Sequence, residues 1–196
     1  SGAIPVVEDP DATLAAQLQP DFLVDAILAK RNLGTNRQMA PVTIGLGPGF
    51  TAPDDVDAVV ETMRGHILGR VILQGSALAD TGMPGLLGGK TAERVVHAPC
   101  GGTARHHHTI GDQVKQGETL FFIDSTPVPS PLDGILRGLI ADGMQVKKGL
   151  KCADVDPRDP SEVDYTTISD KARCIGGAVL EACLMLGRQK NLLPPL

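Results

Sequence analysis

An internal repeat between residues 98 and 156 constrains the fold more than any other feature of this sequence. Residues 98–124 and 130–156 share a pattern at a constant offset of 32 residues, as from Gly102 to Gly134, without a gap. Each copy contains a proline near its start, a glycine turn and a second turn of the form G-x-Q-V-K-x-G. Because so short a segment cannot bury a core alone, we expect the two copies to interlock about a pseudo-twofold axis.

The repeat resembles the biotinyl/lipoyl family of barrel-sandwich hybrid domains, in which A-P-x-x-G followed by G-D-x-V-x-x-G occurs twice. The resemblance covers about residues 94–157 and implies an all-β domain inserted into the chain. Carrier members of that family present a modified lysine on the hairpin between the halves. Here that hairpin, residues 123–129, contains no lysine, and Lys115 and Lys147 lie in other turns. We therefore expect no attached biotin or lipoate, and a scaffold or docking role for this domain.

A different pattern on the N-terminal side predicts an α/β domain. The apolar run at 22–28 predicts a buried strand, and the run at 42–46 predicts a second strand that breaks into closely spaced glycines. The apolar spacing of residues 56–63 predicts a helix over about 54–65, and residues 70–73 predict the next strand. Strand, helix and strand over this length indicate a βαβ unit with parallel pairing.

The C-terminal part of the chain predicts one long helix. Ser169 is a good N-cap, and apolar residues follow it at helical spacing as far as Gly187, where we expect the helix to end. Gly176 and Gly177 are unusual in a helix interior, where glycine costs about 1 kcal/mol relative to alanine. We therefore expect the face that carries these glycines to approach another backbone closely.

Together these patterns predict a mixed α/β fold with an inserted all-β barrel-sandwich hybrid. The α/β domain comprises residues 1–90 and is completed by the C-terminal helix within 160–196. The glycine-rich stretch 75–92 predicts a linker or a lid, and residues 94–157 form the insertion.

The glycine turn after the second strand is the candidate ligand site. In open α/β sheets ligands bind beyond the carboxyl ends of the strands, and glycines let backbone N–H groups approach a ligand. The polar loop after the first strand is expected at the same edge, and basic residues at the start of the C-terminal helix oppose its dipole unless an anion binds there. The candidate binding residues are Gly45, Gly47, Gly49, Lys30, Arg31, Asn32, Lys171 and Arg173.

Other features of this region favour a purely structural turn. The order G-x-G-x-x-F, with Phe50 in last place, lacks the third glycine of the dinucleotide fingerprint. Asp54 and Asp55, at the predicted helix start, would repel a phosphate, and Arg64 and His66 are interpreted as partners of the dipole at its end. Anion binding and a structural turn therefore both stay open, and the identity of any cofactor is unknown.

Composition argues against several classes of function. The net charge of −5, without a long Lys/Arg cluster, argues against nucleic-acid binding, and four Phe, one Tyr and no Trp leave few stacking platforms. No apolar run reaches the ~18 residues of a membrane span. Four cysteines without CxxC spacing are typical of cytosolic free thiols, so we expect a cytoplasmic protein. The run 106–108 of three histidines is interpreted as exposed decoration rather than a metal site, and no catalytic triad is recognisable.

Four further stretches extend the resemblance across the chain, namely residues 24–32, 45–51, 61–66 and 169–173. In that order around the repeat, they resemble the YqeB family over about residues 4–187. The resemblance implies an accessory role in the maturation of selenium-dependent molybdenum hydroxylases, with a cofactor intermediate, a selenium species or the apo-enzyme bound. Family members usually carry a further N-terminal nucleotide-binding-like α/β domain, so we expect this chain to be a fragment or a shortened relative.

Two other functions stay open at this point. One is an enzyme that acts on a phosphorylated small molecule at the turn between Gly45 and Gly49, and the other is a non-catalytic docking module. A ligand beyond Gly49 would favour the binding functions over docking, and an acid or base beside that ligand would indicate an enzyme. The expected partners are an anionic small molecule and the molybdenum hydroxylase apo-enzyme, with no nucleic acid and no membrane.

Overall fold

The computed structural model describes residues 2–82 and 85–194 and divides into two compact units. The first unit runs as far as Thr81 and resumes at Ser169, and the second is Gly82–Ile168. The predicted linker or lid at 75–92 contains a short strand and, beyond Gly82, the bridge between Leu87 and Lys90. Residues 83 and 84 of that prediction, and the ends of the predicted α/β domain at 1, 195 and 196, lie outside the described residues.

The first unit contains short strands and two helices. Its elements are α1 (Thr13–Leu18), β1 (Phe22–Asp25), β2 (Val42–Leu46), β3 (Thr51–Ala52), β4 (Ala58–Val60), β5 (Val71–Ile72), β6 (Gly75–Ser76) and α2 (Asp170–Gln189). The main sheet has the order β1-β2-β4-β5, and β3 pairs separately with β6. Strands β1, β2 and β4 are parallel, with Phe22 opposite Val42 and Ile44 opposite Ala58. Strands β1 and β2 therefore end at the same edge of the sheet, as expected, whereas the parallel pairing predicted for the strands at 42–46 and 70–73 is wrong, because β4 lies between β2 and β5.

The predicted helix at 54–65 is wrong, because the segment contains a turn and strand β4 (Ala58–Val60), which is buried on both faces. Ala58 and Val60 pack towards helix α2, whereas Val59 and Val56 pack in a second cluster with Phe50. A helix would bury only one stripe of these residues, but the sheet buries all of them, and β-branched valine suits a strand. The predicted βαβ unit is absent accordingly.

The elements around this strand also differ from the prediction. Strand β5 pairs with β4 in the antiparallel direction, with Val60 opposite Val71. The acids after Pro53 belong to a turn instead of a helix start, since Asp55 Oδ2 accepts a hydrogen bond from the Thr51 N–H at 2.9 Å. The connection from β2 to parallel β4 is therefore made by strand β3 and this turn.

Helix α2 covers one face of the main sheet. The predicted N-cap is confirmed, because Ser169 Oγ accepts a hydrogen bond from the Ala172 N–H at 3.2 Å. The residues of α2 in the shared core lie at helical spacing, namely Ile175, Ala178, Ala182 and Leu186. No membrane-length apolar helix occurs within the described ranges 2–82 and 85–194.

The predicted close approach at Gly176 and Gly177 is wrong. Both glycines are exposed, and a Cβ atom at either position would meet nothing within 4 Å. The close approach occurs within the last turn of the helix, at Gly187, where a Cβ atom would lie 2.7 Å from Cζ of Phe22. The helix also continues past Gly187 to Gln189, so the predicted end at that glycine is wrong as well.

The second unit consists of two four-stranded sheets with the orders β11-β10-β8-β13 and β7-β14-β12-β9. Its strands are β7 (Val95–His97), β8 (Gly102–His106), β9 (Gln113–Val114), β10 (Thr119–Ile123), β11 (Thr126–Pro129), β12 (Gly134–Leu139), β13 (Gln145–Val146) and β14 (Lys151–Asp156). Short 3-10 turns at Ala92–Arg94 and Pro160–Glu162 flank these strands. Within the described part of the chain, the sheets do not join into a closed barrel.

The strand pairings follow the sequence repeat. Gly102 lies opposite Val146, and Gly134 lies opposite Val114, so the two glycines occupy equivalent positions at the same offset of 32 residues. Strand β7 precedes the first copy and β11 precedes the second, again 32 residues apart, so each is counted with the copy that follows it. Each sheet then contains two strands from each copy, and the sheets share one apolar core. Neither copy forms a complete sheet alone, and the expected interlocking of the two copies is confirmed.

The hairpin between the two copies consists of β10 and β11. The chain reverses through Asp124, which has a φ of 50°, and Ser125. That this hairpin carries no covalently attached cofactor stays a prediction.

Candidate functional site

Strands β1, β2 and β4 are parallel, so their carboxyl ends lie at one edge of the sheet of the first unit. The segments 26–36, 47–50 and 61–64 follow these strands, and the first turn of α2 reaches the same place. There the Arg64 guanidinium donates two hydrogen bonds to the Asp170 carboxylate, at 2.7 and 2.8 Å. These three segments and the start of α2 are called the carboxyl edge below.

The glycine turn at this edge is explained first by close packing. Gly47 and Gly49 have φ values of 79° and 110°, which side-chain-bearing residues rarely adopt. A Cβ atom at Gly47 would lie 2.6 Å from Oγ1 of Thr62, and one at Gly49 would lie 2.5 Å from Cα of Arg31. A Cβ atom at Gly45 would lie 2.5 Å from the ring of Phe50.

This packing changes the expected role of the glycines. The Gly47 N–H donates a hydrogen bond to the Val60 carbonyl at 2.9 Å, so it is not free for a ligand. No helix follows the turn, and the predicted helix N-terminus with its dipole is therefore absent. The contact between Gly49 and the backbone of Arg31 nevertheless brings the glycine turn and the loop after β1 together, as the sequence predicted.

The loop after β1 is shaped by its own side chains. Buried Asp25 accepts hydrogen bonds from the Ile27 N–H at 3.1 Å and from Thr35 Oγ1 at 2.7 Å. The Asn32 amide donates to the Thr35 carbonyl and accepts from the Gly34 N–H, both at 2.8 Å. Asn32 thus has a structural role in the loop, because its side chain is already hydrogen-bonded on both sides.

Three cationic residues belong to the carboxyl edge, and each comes from a different segment. Lys30 belongs to the loop after β1, Arg64 follows β4, and Lys171 lies in the first turn of α2. Burial, together with the nearby charges of Lys30 and Arg64, holds the pKa of Lys171 below its usual range, although Glu61 and Asp80 act in the opposite direction. Burial has the largest effect on the pKa of Lys171, and the two cations act in the same direction.

Lys171 differs from its neighbours in its contacts. Arg64 is paired with Asp170, and Lys30 Nζ lies 3.8 Å from Oδ1 of Asp80. Half-buried Lys171 makes no hydrogen bond or ion pair through its side chain within the described residues. An anion bound at the carboxyl edge would supply the partner that the protein does not.

Glu61 is a buried carboxylate of this edge that the sequence analysis did not single out. Only 1% of its surface is exposed, and its two oxygens accept hydrogen bonds from the Met63 N–H at 2.7 Å and the Leu78 N–H at 2.8 Å. A cavity of about 370 Å³ adjoins it, with Arg70 and Gln74 in its wall. Its partner Leu78 is distant in sequence, so no local pattern predicted this role.

Comparison with known proteins identifies the family. No family model matches the chain. It is 52% identical over 188 residues to an Escherichia coli (strain K12) protein described as "Uncharacterized protein YqeB", and the match covers 96% of this chain. The chain belongs to the YqeB family. It spans 35% of the length of that YqeB relative.

Comparison of this chain with solved structures gives a more limited result. The present chain resembles succinylglutamate desuccinylase/aspartoacylase from Rhodobacter sphaeroides, with 30% sequence identity and a TM-score of 0.30. The similarity covers 36% of this chain and 24% of the other.

For three arginines of this chain, the structure differs from what the sequence predicted. Arg173 is exposed and lies roughly 200° around α2 from Lys171, given about 100° per residue, so the two do not share a face. Arg31 contributes its backbone at Gly49, and its side chain is exposed. Arg64 does not lie at the end of a helix as predicted, because residues 54–65 form no helix. Its guanidinium instead pairs with Asp170, a residue distant in sequence.

The prediction that the histidines at 106–108 are exposed is correct only in part. His108 has a side chain 17% exposed, with Nδ1 and Nε2 each 3.1 Å from a carboxylate oxygen, of Asp112 and Glu118 respectively. His106 Nε2 lies 2.6 Å from the Ile140 carbonyl. In the ranges that the structure describes, no group of three or more His, Cys, Asp or Glu residues is arranged to hold a metal ion.

Proposed function

We propose that this chain belongs to an accessory protein for the maturation of selenium-dependent molybdenum hydroxylases, and that its first unit binds a small anionic intermediate of that process. Membership of the YqeB family supports the choice of pathway through the sequence resemblance. The geometry of the carboxyl edge supports the choice of ligand class. The ligand carries a phosphate or carboxylate group.

The single observation that carries this proposal is the unpaired ammonium of Lys171 beside Lys30 and Arg64. A half-buried charge without a partner is costly, and two neighbouring cations add to the cost. An anion would lower the energy of all three groups together. Coulomb attraction between unit charges 4 Å apart is about 4 kcal/mol under conditions typical of a protein surface, so one phosphate oxygen near Lys171 would have a large effect.

The carboxylates of the same edge limit the affinity. Glu61, Asp80 and Asp170 formally balance the charges of Lys30, Arg64 and Lys171. We therefore expect binding of moderate affinity that weakens as salt screens the exposed partners. Because Lys171 is half-buried, salt should weaken its attraction for an anion less than that of the exposed cations.

Titration with inorganic phosphate tests the proposed binding site. In calorimetry or backbone amide NMR, Lys171→Ala and Lys30→Ala should each weaken phosphate binding and flatten its dependence on salt. Lys148→Ala is the matched control, since Lys148 is an exposed lysine of the second unit. Equal affinity in the wild type and both carboxyl-edge variants would exclude this site.

The maturation role is tested separately in an organism that encodes a YqeB-family protein and a selenium-dependent molybdenum hydroxylase. Loss of the family member should lower hydroxylase activity while the amount of hydroxylase polypeptide stays constant. Restoration by the wild-type gene, but not by the Lys171→Ala gene, would connect the role to the carboxyl edge. Unchanged activity after the loss would contradict the proposal.

For the second unit we propose a barrel-sandwich hybrid that serves as a docking domain. The interlocked copies support this assignment, because each sheet takes two strands from each half. The turn at Asp124 and Ser125 offers no amine for a biotin or lipoate. Co-purification of the hydroxylase apo-enzyme with the whole protein, but not with a variant substituted on the exposed strand β11, would support docking through this unit.

A further inference from the structure

The cavity of about 370 Å³ beside Glu61 has the size and the lining of a small-molecule site. Its volume lies within the roughly 300–1,000 Å³ that ligand pockets occupy. Lys30 and Lys171 do not line it, so it is distinct from the anion site proposed above. Its wall combines four polar residues with five apolar ones, namely Glu61, Arg70, Gln74 and Ser76, and Ile67, Val71, Ile72, Leu73 and Leu78.

Glu61 supplies the negative charge of this cavity. Its carboxylate is buried, and each oxygen accepts one backbone N–H, from Met63 and from Leu78. A carboxylate oxygen can accept more than one hydrogen bond, so each keeps an acceptor site. Glu61 acts to raise the pKa of Lys171 against the effect of burial, but no cation forms an ion pair with Glu61 within the described residues. A buried charge without a counterion is costly, which favours a cationic group in the cavity.

Arg70 supplies a positive charge from the neighbouring strand. The Glu61 N–H donates to the Arg70 carbonyl at 3.0 Å, and this continues the antiparallel register in which Val60 lies opposite Val71. Side chains directly opposite each other in such a pair project from the same face, with Cβ atoms about 5 Å apart. The exposed Arg70 guanidinium nevertheless makes no ion pair or hydrogen bond, with Glu61 or with any other group in the described ranges. Two opposite charges therefore line one cavity without pairing.

We infer that this cavity binds a small zwitterion, an α-amino acid with an apolar side chain. The ammonium group of the ligand donates hydrogen bonds to the Glu61 carboxylate. Its carboxylate accepts hydrogen bonds from the Arg70 guanidinium, whose planar fork suits two parallel bonds to a carboxylate. Its side chain covers Leu73 and Leu78, apolar wall residues that are 40% and 51% exposed.

A zwitterion satisfies this cavity better than a simple ion does. An amine without a carboxylate would be repelled by Arg70, and a carboxylate without an amine would be repelled by Glu61. An amino acid pairs with both groups and carries no net charge. Its binding should therefore depend only weakly on salt, in contrast to the binding of phosphate at the carboxyl edge.

Titration of the whole chain with L-leucine and L-methionine, followed by backbone amide NMR, tests the inference. Both amino acids should bind at millimolar or lower concentration and shift the amide signals of Met63 and Leu78, which donate to Glu61. Leucinamide lacks the carboxylate and isocaproate lacks the ammonium group, so each should bind about tenfold more weakly than L-leucine, the factor that a hydrogen bond to a charged group commonly contributes. Binding of either analogue as tightly as L-leucine would indicate a simple ion site and overturn the inference. The absence of these shifts with both amino acids would overturn it as well.

Matched arginine variants locate the site. Arg70→Gln should weaken L-leucine binding about tenfold. Arg188→Gln should leave it unchanged, since Arg188 is an exposed arginine of the same unit outside the cavity wall. Glu61→Gln should also weaken binding, and circular dichroism shows first whether that variant folds, because Glu61 holds two backbone N–H groups. Where it does not fold, Arg70→Gln and the two analogues decide, and wild-type affinity in Arg70→Gln would overturn the inference.

Phosphate separates this inference from the proposed function. Lys171→Ala should weaken phosphate binding but not L-leucine binding, and phosphate should not displace L-leucine. Binding of L-leucine without binding of phosphate would contradict the anion site alone. Binding of phosphate without binding of either amino acid would overturn the zwitterion site alone.

Discussion

The Nζ atom of Lys190 lies 2.9 Å from Oδ1 of Asp57 and joins the end of helix α2 to the amino edge of the main sheet. Asp57 is buried, and the same oxygen also accepts two hydrogen bonds from Arg37. Its other oxygen accepts from the N–H and Oγ1 of Thr43 at 2.9 and 3.2 Å. This carboxylate therefore holds a strand, a loop and a helix end in place, at the edge opposite to the candidate site.

Asp57→Ala should destabilise the first unit by about 3 kcal/mol, because removing one partner of a buried ion pair leaves the other groups unsatisfied. Chemical denaturation followed by circular dichroism or by amide exchange of the first unit measures this. The control Lys148→Ala, at an exposed lysine, should change stability by less than about 0.5 kcal/mol. A loss equal to that of the control would mean that the Asp57 contacts contribute nothing net.

Gly177→Ala should stabilise the protein by about 0.5–1 kcal/mol. The glycine is exposed within α2, nothing lies within 4 Å of an added Cβ atom, and alanine has the higher helix propensity. A shift of the denaturation midpoint of the whole chain measures the effect, and Gly176→Ala gives an independent repeat. Destabilisation of both variants would indicate a backbone contact on this face.

Gly49→Ala should have the opposite effect and destabilise by about 2 kcal/mol. The residue has a φ of 110°, and the new Cβ atom would collide with the backbone of Arg31, which has no flexible end to move aside. Because the collision separates the glycine turn from the loop of Lys30, we also expect weaker phosphate binding. Wild-type stability in the same denaturation experiment would disagree with this packing.

Asp156 should make the stability of the second unit depend on acid pH. Its carboxylate is 1% exposed and lies 2.7 Å from Arg158 and 3.1 Å from Arg137. The Arg158 hydrogen bond, against the effect of burial, lowers the pKa of Asp156 from 3.8 to about 2. Since the folded pKa is the lower one, the stabilisation is fully present above the unfolded value and is lost as pH falls from about 4 to about 2.

The size of this effect is about 2 kcal/mol by proton linkage. Unfolding free energies of the whole chain between pH 2 and 6, read from amide exchange in strand β14, should show the loss in the wild type. Asp156→Asn cannot titrate, so its curve should lack that part of the pH dependence. Parallel curves for the two proteins would contradict the linkage.

The repeat of the second unit could be predicted because its signals are local. Each G-x-Q-V-K-x-G turn reverses the chain, and the alternation around it selects the face that is buried, so the register between Gly102 and Val146 follows from sequence neighbours. The N-cap at Ser169 is local in the same way, since its partner Ala172 is three residues away. The meeting of Gly49 with Arg31 followed from one general rule, that parallel strands end at the same edge.

The remaining features depend on contacts between residues far apart in the chain. The sequence by itself determined the repeat, the helix start and the common edge at which β1 and β2 end, because short-range turn chemistry and hydrophobic patterning decide them. Only the tertiary structure decided that Val59 and Val60 form a strand, since a short apolar run becomes a strand when α2 covers one face and another cluster covers the opposite face. It also decided the position of Lys171, because burial and the charges of Lys30 and Arg64 come from distant segments that only the folded chain brings together.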